Sequence, residues 1–287
     1  MWTLRLASKC LAGAWLVALV GVPRMAAART TWTPGAAAQA AARAATTSAP
    51  SLAGIAASRV AVIDLGYPVG PQSPNWPDNP PFQAKVLATY AKEGYFARQV
   101  SFPEHFGTHL DAPAHFPGGK LTVDQIPPQK FFAPADVIDV GAEAAKDPDY
   151  RLTPKAVEGW ESRHGRIPAG SIVILSTGWE ARGGDRAGYR NMDAKGVMHF
   201  PGYGVPAAKL LIARGVIALG IDTMSIDYGP SKTFPVHRTT LPAGLYHLEN
   251  LRSLDALPAT GAWLVVAPIK LEGGSGGPVR VFALVRK

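Results

Sequence analysis

The stretch His105-Phe106-Gly107-Thr108-His109-Leu110-Asp111-Ala112-Pro113-Ala114-His115, "HFGTHLDAPAH", gathers three of the chain's seven histidines and an aspartate into eleven residues. Gly107 and Pro113 make a continuous helix across it implausible, so the imidazoles do not line one helical face. In an extended chain, residues two apart share a face. His105, Gly107, His109 and Asp111 are then expected to point one way, with Gly107 leaving space between the donors. Pro113 turns the chain and is expected to bring His115 back over the same pocket. Two imidazoles and a carboxylate on one side make a three-donor site with an open position, as a catalytic zinc requires. The rival reading, ordinary surface or core histidines, must bury several polar groups without partners, which is costly.

Working outward, short apolar runs flanked by turn residues read as strands: "RVAVIDLG" (59–66), "PADVIDVG" (134–141), "SIVILSTG" (171–178), "VIALGID" (216–222), "WLVVAPI" (263–269) and "VRVFALV" (279–285). "YFARQVSF" (95–102) suits a strand running directly into the histidine segment. "TPKAVEGWESRHG" (153–165) opens on Thr153 and Pro154, an N-cap and first-turn pair, and reads as a helix. "VPAAKLLIARG" (205–215) is an amphipathic helix stopped by Gly215. Between the first strand and the histidines, "YPVGPQSPNWPDNPPF" (67–82) has six prolines and must be a loop. Mixed β-structure with a few helices predicts one α/β or α+β domain over 59–287.

Composition narrows the function classes. The 287 residues carry a net charge of +8, but the 29 Lys and Arg are scattered with no basic run, which argues against a nucleic-acid binder. Residues 1–28 have a charged start (Arg5, Lys9), an apolar run from Leu11 to Val22, and a small-residue end at Ala26-Ala27-Ala28. This is the three-part layout of a signal peptide, and it predicts export, to the periplasm or beyond, with no stable membrane insertion after cleavage. The single cysteine, Cys10, lies inside that segment, so the mature chain is expected to have no disulfide, thiolate nucleophile or cysteine ligand. Residues 29–58, rich in Ala, Thr and Ser, read as a flexible spacer.

The histidine segment resembles the His-x-Gly-Thr-His-x-Asp-x-Pro-x-His signature of the cyclase-like metal-dependent hydrolases, a family that includes bacterial kynurenine formamidases and isatin hydrolases. Weaker matches follow in order: "GIDTMSID" (220–227), "LPAGLYHLENL" (241–251) and "GGSGGPVRVFAL" (273–284). The resemblance covers residues 59–287 and implies a single α/β domain of the swivelling β/β/α kind. It implies that His105, His109 and Asp111 hold one divalent metal ion, with Asp111 bridging to a second completed by His237 and Glu249. It further implies His115 as proton donor and acceptor, and Trp76 as the aromatic surface on which substrate stacks. Zinc and manganese, one ion or two, suit imidazole and carboxylate donors equally. Homodimers or homotetramers are common among such proteins.

Each distal assignment has a competitor. His247 lies two residues before Glu249 and shares its face in a strand. His237 sits in the loop-like "FPVHRTT". Asp222 and Asp227 read equally well as partners orienting ligand imidazoles or as turn and capping residues. Trp76 also reads as a packing residue. The segment 179–204 is a long loop whose His199, Phe200 and Tyr203 are expected to border the pocket, and a different lid means a different substrate.

The expected activity is metal-dependent hydrolysis of an amide, N-formamide or lactam of a small molecule, arylformamidase-like, with an isatin-type cyclic amide or an ester or lactone as alternative. A second class, an exported binding protein of the same fold, has no need of His115 as an acid. A serine hydrolase is disfavoured, since "GGSGG" (273–277) is too close to the C-terminus to be followed by a triad histidine.

Overall fold

The computed structural model describes residues 51–116 and 120–287. The expected signal segment and the spacer up to residue 50 lie outside the described residues. The end of that spacer holds a short helix, Leu52–Ala56, where Ser51 Oγ accepts the Gly54 N–H at 3.0 Å. Regular structure thus begins before Arg59, because a capping hydroxyl satisfies a helix N–H that would otherwise be free.

Among the described residues twelve strands follow: β1 (Val60–Asp64), β2 (Gln83–Ala88), β3 (Ala97–Ser101), β4 (His109–Asp111), β5 (Phe132–Asp139), β6 (Arg151–Leu152), β7 (Ile172–Ser176), β8 (Gly202–Tyr203), β9 (Ala218–Ile221), β10 (Tyr246–Glu249), β11 (Ala262–Pro268) and β12 (Gly276–Arg286). Eight form one sheet in the order β1-β12-β11-β5-β7-β9-β10-β4, and β12 also pairs with β4. The sheet therefore closes on itself. The long β12 makes this possible: Gly276–Pro278 pair with Asp111–His109, and Val279 onward pairs with β11.

Strands β5, β7, β9 and β10 are mutually parallel. Both faces of β7 and β9 are buried, which is why they read as unbroken apolar runs rather than alternating ones. Ile172 and Ile174 pack into one core with Leu110, Leu248, Leu264 and Val281. Val173 and Leu175, on the opposite face, meet Trp160, Ala207 and Leu211 from the helices Pro154–His164 and Val205–Arg214. Both helices carry the expected punctuation. Thr153 Oγ1 accepts the Ala156 N–H at 3.2 Å, and Gly215 ends the second helix at φ +79°, where other L-residues are strained.

The strand expected to run into the histidine segment does exist as β3, but it leaves the main sheet. It pairs antiparallel with β2, so that the two form a hairpin inserted between the Pro-rich loop and His105. Val86, Leu87, Tyr90, Tyr95, Phe96 and Val100 of this hairpin are all exposed.

Candidate metal centre

Asp111 is the hub of the site. It lies on β4, between β10 and the first residues of β12, and is buried. His105 Nδ1 lies 2.6 Å from Asp111 Oδ1, and His109 Nε2 lies 3.2 Å from the same oxygen. His237 Nε2 and His247 Nδ1 approach Asp111 Oδ2 at 3.2 and 3.3 Å. Glu249 closes the ring, with its two carboxylate oxygens 3.4 Å from His109 Nε2 and 3.3 Å from His237 Nε2.

The expected period-two alternation holds only for His109 and Asp111, which are in β4. At Gly107 it fails: φ is +63°, so the chain turns there and His105 arrives from a loop. The glycine is needed for that backbone conformation rather than for space, since an added Cβ would meet nothing closer than Ser73 at 3.5 Å. Pro113–His115 form a single 3-10 turn, which folds the His115 ring onto that of His105 with centroids 3.9 Å apart.

The imidazoles are held from behind. His109 Nδ1 donates to the Gly107 carbonyl at 3.0 Å, leaving Nε2 toward the carboxylates. Asp227 accepts three N–H bonds: Val236 N at 2.9 Å, His237 N at 3.1 Å and His237 Nδ1 at 2.7 Å. The two readings of Asp227 are thus both true, because the helix it caps, Pro235–Thr240, is the one that carries His237. Thr240 Oγ1 donates to the Val236 carbonyl, so it can only accept from His247 Nε2, at 2.8 Å, and His247 Nδ1 is turned to Asp111. Asp222 does not touch an imidazole. It accepts from Thr177 and Trp179 and is a turn-holding residue.

Electrostatics follow from this packing. Burial opposes ionisation of Asp111, but the His105 charge and hydrogen bonds from His105, His109 and His237 hold it well below the usual carboxylate range. Burial and the nearby Asp111 charge also oppose ionisation of Glu249, yet hydrogen bonds from His109 and His237 bring it to about 2. Burial alone would lower His109, but its bonds to Asp111 and Glu249 raise it to about 10. Two desolvated carboxylates thus draw positive charge onto their neighbours, and no Lys or Arg is among the residues lining the cavity. A divalent cation fits this donor set: Asp111, His237, His247 and Glu249 offer atoms within 4.8 Å of one another, as do His105, Asp111 and His115.

The site floors a cavity of about 270 Å³ lined by Trp76, Phe116 and Phe234, by Asn75, Asn79 and Asn250, and by His105, His109, Asp111, His115, His237 and Glu249. Glu249 faces this cavity, whereas His247 lies fully buried behind it. Trp76 both lines the cavity and packs on Phe234, with ring centroids 5.9 Å apart. Burial pushes the His115 imidazole down to about 4, against the pull of Asp111.

Residues of the 179–204 segment expected at the pocket are elsewhere. His199 turns outward to Asp149, with Nδ1 2.8 Å from the carboxylate. Phe200 is sealed in a small core with Trp179, Tyr189, Met198 and Met224. Tyr203 donates its hydroxyl to the Val173 and Gly220 carbonyls beneath the sheet. The loop carries its own helix, Arg186–Arg190, and buries its aromatic residues internally. Conversely, the sequence reading missed Asn75, Asn79, Phe116, Met224, Ser225, Phe234 and Asn250 in the lining. Five of these lie within three residues of a predicted site residue, which was the only available signal.

Comparison with known proteins agrees with this architecture. The family described as "Putative cyclase" matches residues 63–228. An isatin hydrolase from Roseibium aggregatum is 36% identical over 245 residues, covering 79% of this chain and 93% of that protein. A kynurenine formamidase from Paracidovorax citrulli is 28% identical over 222 residues, covering 76% and 93%. The crystal structure of an isatin hydrolase bound to the product analogue thioisatinate superposes with a TM-score of 0.78 at 33% identity, covering 87% of this chain and 99% of that one. With this fold, this donor cluster and these relatives, the chain belongs to the cyclase family and is a hydrolase.

Proposed function

We propose that the protein opens a compact aromatic cyclic amide, an isatin-like lactam, by adding water across the C–N bond, with an N-formylated aniline as second candidate. The observation that carries this is the convergence of His105, His109 and His237 on Asp111, with Glu249 reaching His109 and His237, at the floor of a small cavity walled by Trp76, Phe116 and Phe234. At about 270 Å³ the cavity sits at the low end for small-molecule sites, which favours a flat bicyclic ligand over a long acyl chain. The likeness to an isatin hydrolase at 36% identity supports the lactam over the formanilide.

The roles follow from position. His105, His109 and Asp111 are assigned to one cation, and Asp111, His237 and Glu249 to a second or shared one. Donors of nitrogen and oxygen without thiolate suit zinc or manganese. A divalent cation bound there lowers the pKa of water from about 15.7 toward 7 and withdraws charge from a carbonyl oxygen. Trp76 stacks on the substrate ring and holds its carbonyl over the floor. His115, at the cavity wall, accepts the proton released as water adds to the carbonyl carbon. It returns that proton to the nitrogen as the C–N bond breaks, so the products are an amine and a carboxylic acid, which then gives up its own proton to water. Proton delivery matters because an amide nitrogen leaves poorly as an anion.

Export is proposed from the charged, apolar and small-residue layout of residues 1–28. Self-association as a homodimer or homotetramer is supported by the exposed apolar residues of the β2–β3 hairpin, which pairs with nothing else among the described residues. The test of the catalytic reading is the metal content of the purified protein, measured beside its activity on isatin and on N-formylaniline. Ring-opening of isatin that rises with bound metal is expected. Full activity in a chelated, metal-free preparation overturns it.

A further inference from the structure

We propose that Glu104 and Ser275 form a hydroxyl clamp that sets the tautomer and ring angle of His105, making Nδ1 the nitrogen offered to the cation. The inference rests on the reading of His105 as a metal ligand and adds two positioning residues to it. The "GGSGG" segment (273–277) otherwise has no part in the chemistry.

Glu104 Oε2 accepts both the backbone N–H of Ser275, at 2.9 Å, and its hydroxyl, at 2.7 Å. A carboxylate only accepts, so the single hydroxyl proton of Ser275 is committed to Glu104. Ser275 Oγ also lies 3.0 Å from His105 Nε2 and has only lone pairs left to offer it. Nε2 must therefore carry a proton, and the lone pair available to a cation is on Nδ1. That nitrogen lies 2.6 Å from Asp111 Oδ1, on the side of the donor cluster.

The backbone around Ser275 is shaped for the same ring. A Cβ on Gly276 would lie 2.6 Å from His105 Cε1 and 2.5 Å from the Leu110 carbonyl, so His105 packs directly on bare backbone. The Ser275 carbonyl accepts the Ala112 N–H at 2.9 Å, and Gly276 pairs with Asp111 across the β4–β12 ladder. The closure of the sheet thus registers the clamp on Asp111 itself. Within the same site, Thr240 orients His247 by the same logic, its proton spent on a carbonyl.

The test is a long-range ¹H–¹⁵N correlation spectrum of protein labelled with ¹⁵N-histidine and loaded with zinc, the His105 signals being identified by their loss in His105→Asn. A proton on Nε2 and none on Nδ1 is expected. Zinc affinity, measured by chelator competition, should fall about 10- to 100-fold in Ser275→Ala and in Glu104→Ala. It should stay within about threefold of wild type in Glu104→Gln, whose amide oxygen still accepts both bonds. An unprotonated Nε2, or zinc affinity unchanged in Ser275→Ala, overturns the clamp. If Ser275→Ala does not fold, the wild-type spectrum and the two Glu104 variants decide. If the wild type takes up no zinc, the metal reading fails, and the Nε2 proton in the spectrum without zinc still judges the clamp.

Discussion

Two places in this fold bury carboxyl groups in the same closed sheet, and they behave in opposite ways. At the β4–β10 edge, Asp111 and Glu249 are surrounded by His105, His109, His237 and His247, and both stay ionised despite burial. On β5, Asp136 is buried with its Oδ2 lacking any hydrogen-bond partner, and burial pushes its carboxyl up to about 6, only partly opposed by Ser171. Burial alone raises a carboxyl's pKa, and only converging donors reverse that. The contrast separates a site built for positive charge from a position that only buries a carboxyl, since both would look alike from exposure alone.

The sharpest way to break the comparison is to take an imidazole from the first group. His109→Ala should lose bound metal and activity together, with turnover falling by about a thousandfold or more, as elemental analysis and steady-state kinetics will show. His115→Ala should keep its metal and lose about 10²- to 10⁴-fold in turnover, the usual worth of a positioned acid–base group. Loss of metal in this variant would instead mark His115 as a ligand, an arrangement its closeness to His105 and Asp111 permits.

The second group is tested through stability. Asp136 titrates at about 6 in the folded protein against 3.8 in the unfolded chain, so the folded state binds more protons between those values. Stability therefore falls as pH rises from about 4 to about 6 and the full penalty persists above that. Asp136→Asn removes the charge and should be more stable than wild type by up to about 3 kcal/mol at pH 8, with the gain vanishing near pH 4. Urea denaturation at the two pH values measures this, and a gain independent of pH would remove the contrast between the two sites.

Asp227→Asn asks whether support from behind tunes the first group. It should weaken metal affinity by about 10- to 100-fold, because its 2.7 Å bond to His237 Nδ1 loses its charge. The smallest effect is expected from His199→Ala, within about twofold in activity and with metal content unchanged, because His199 faces Asp149 on the outside.

Much of the fold was legible where one local rule decided the outcome. The apolar runs at β5, β7, β9, β11 and β12 and the two capped helices needed only side-chain pattern and Thr, Pro or Gly punctuation. The β2–β3 hairpin was half seen, since a period-two pattern says that a strand forms but not which edge it pairs with. The 179–204 loop was misread because polar spacing and a histidine cannot reveal that Phe200 and Tyr203 are absorbed by neighbouring cores.

What the amino-acid order determined by itself was the donor chemistry. Close spacing put His109 and Asp111 on one face of a strand, and Pro113 swung His115 back over His105. Those are short-range consequences of backbone geometry. Only the tertiary structure decided that Glu249 faces the cavity while His247 stands behind it, that Asp227 reaches ten residues along to hold His237, and that Ser275 lies against His105. Such contacts join segments up to 170 residues apart through the closure of β12 on β4, and no local preference encodes them.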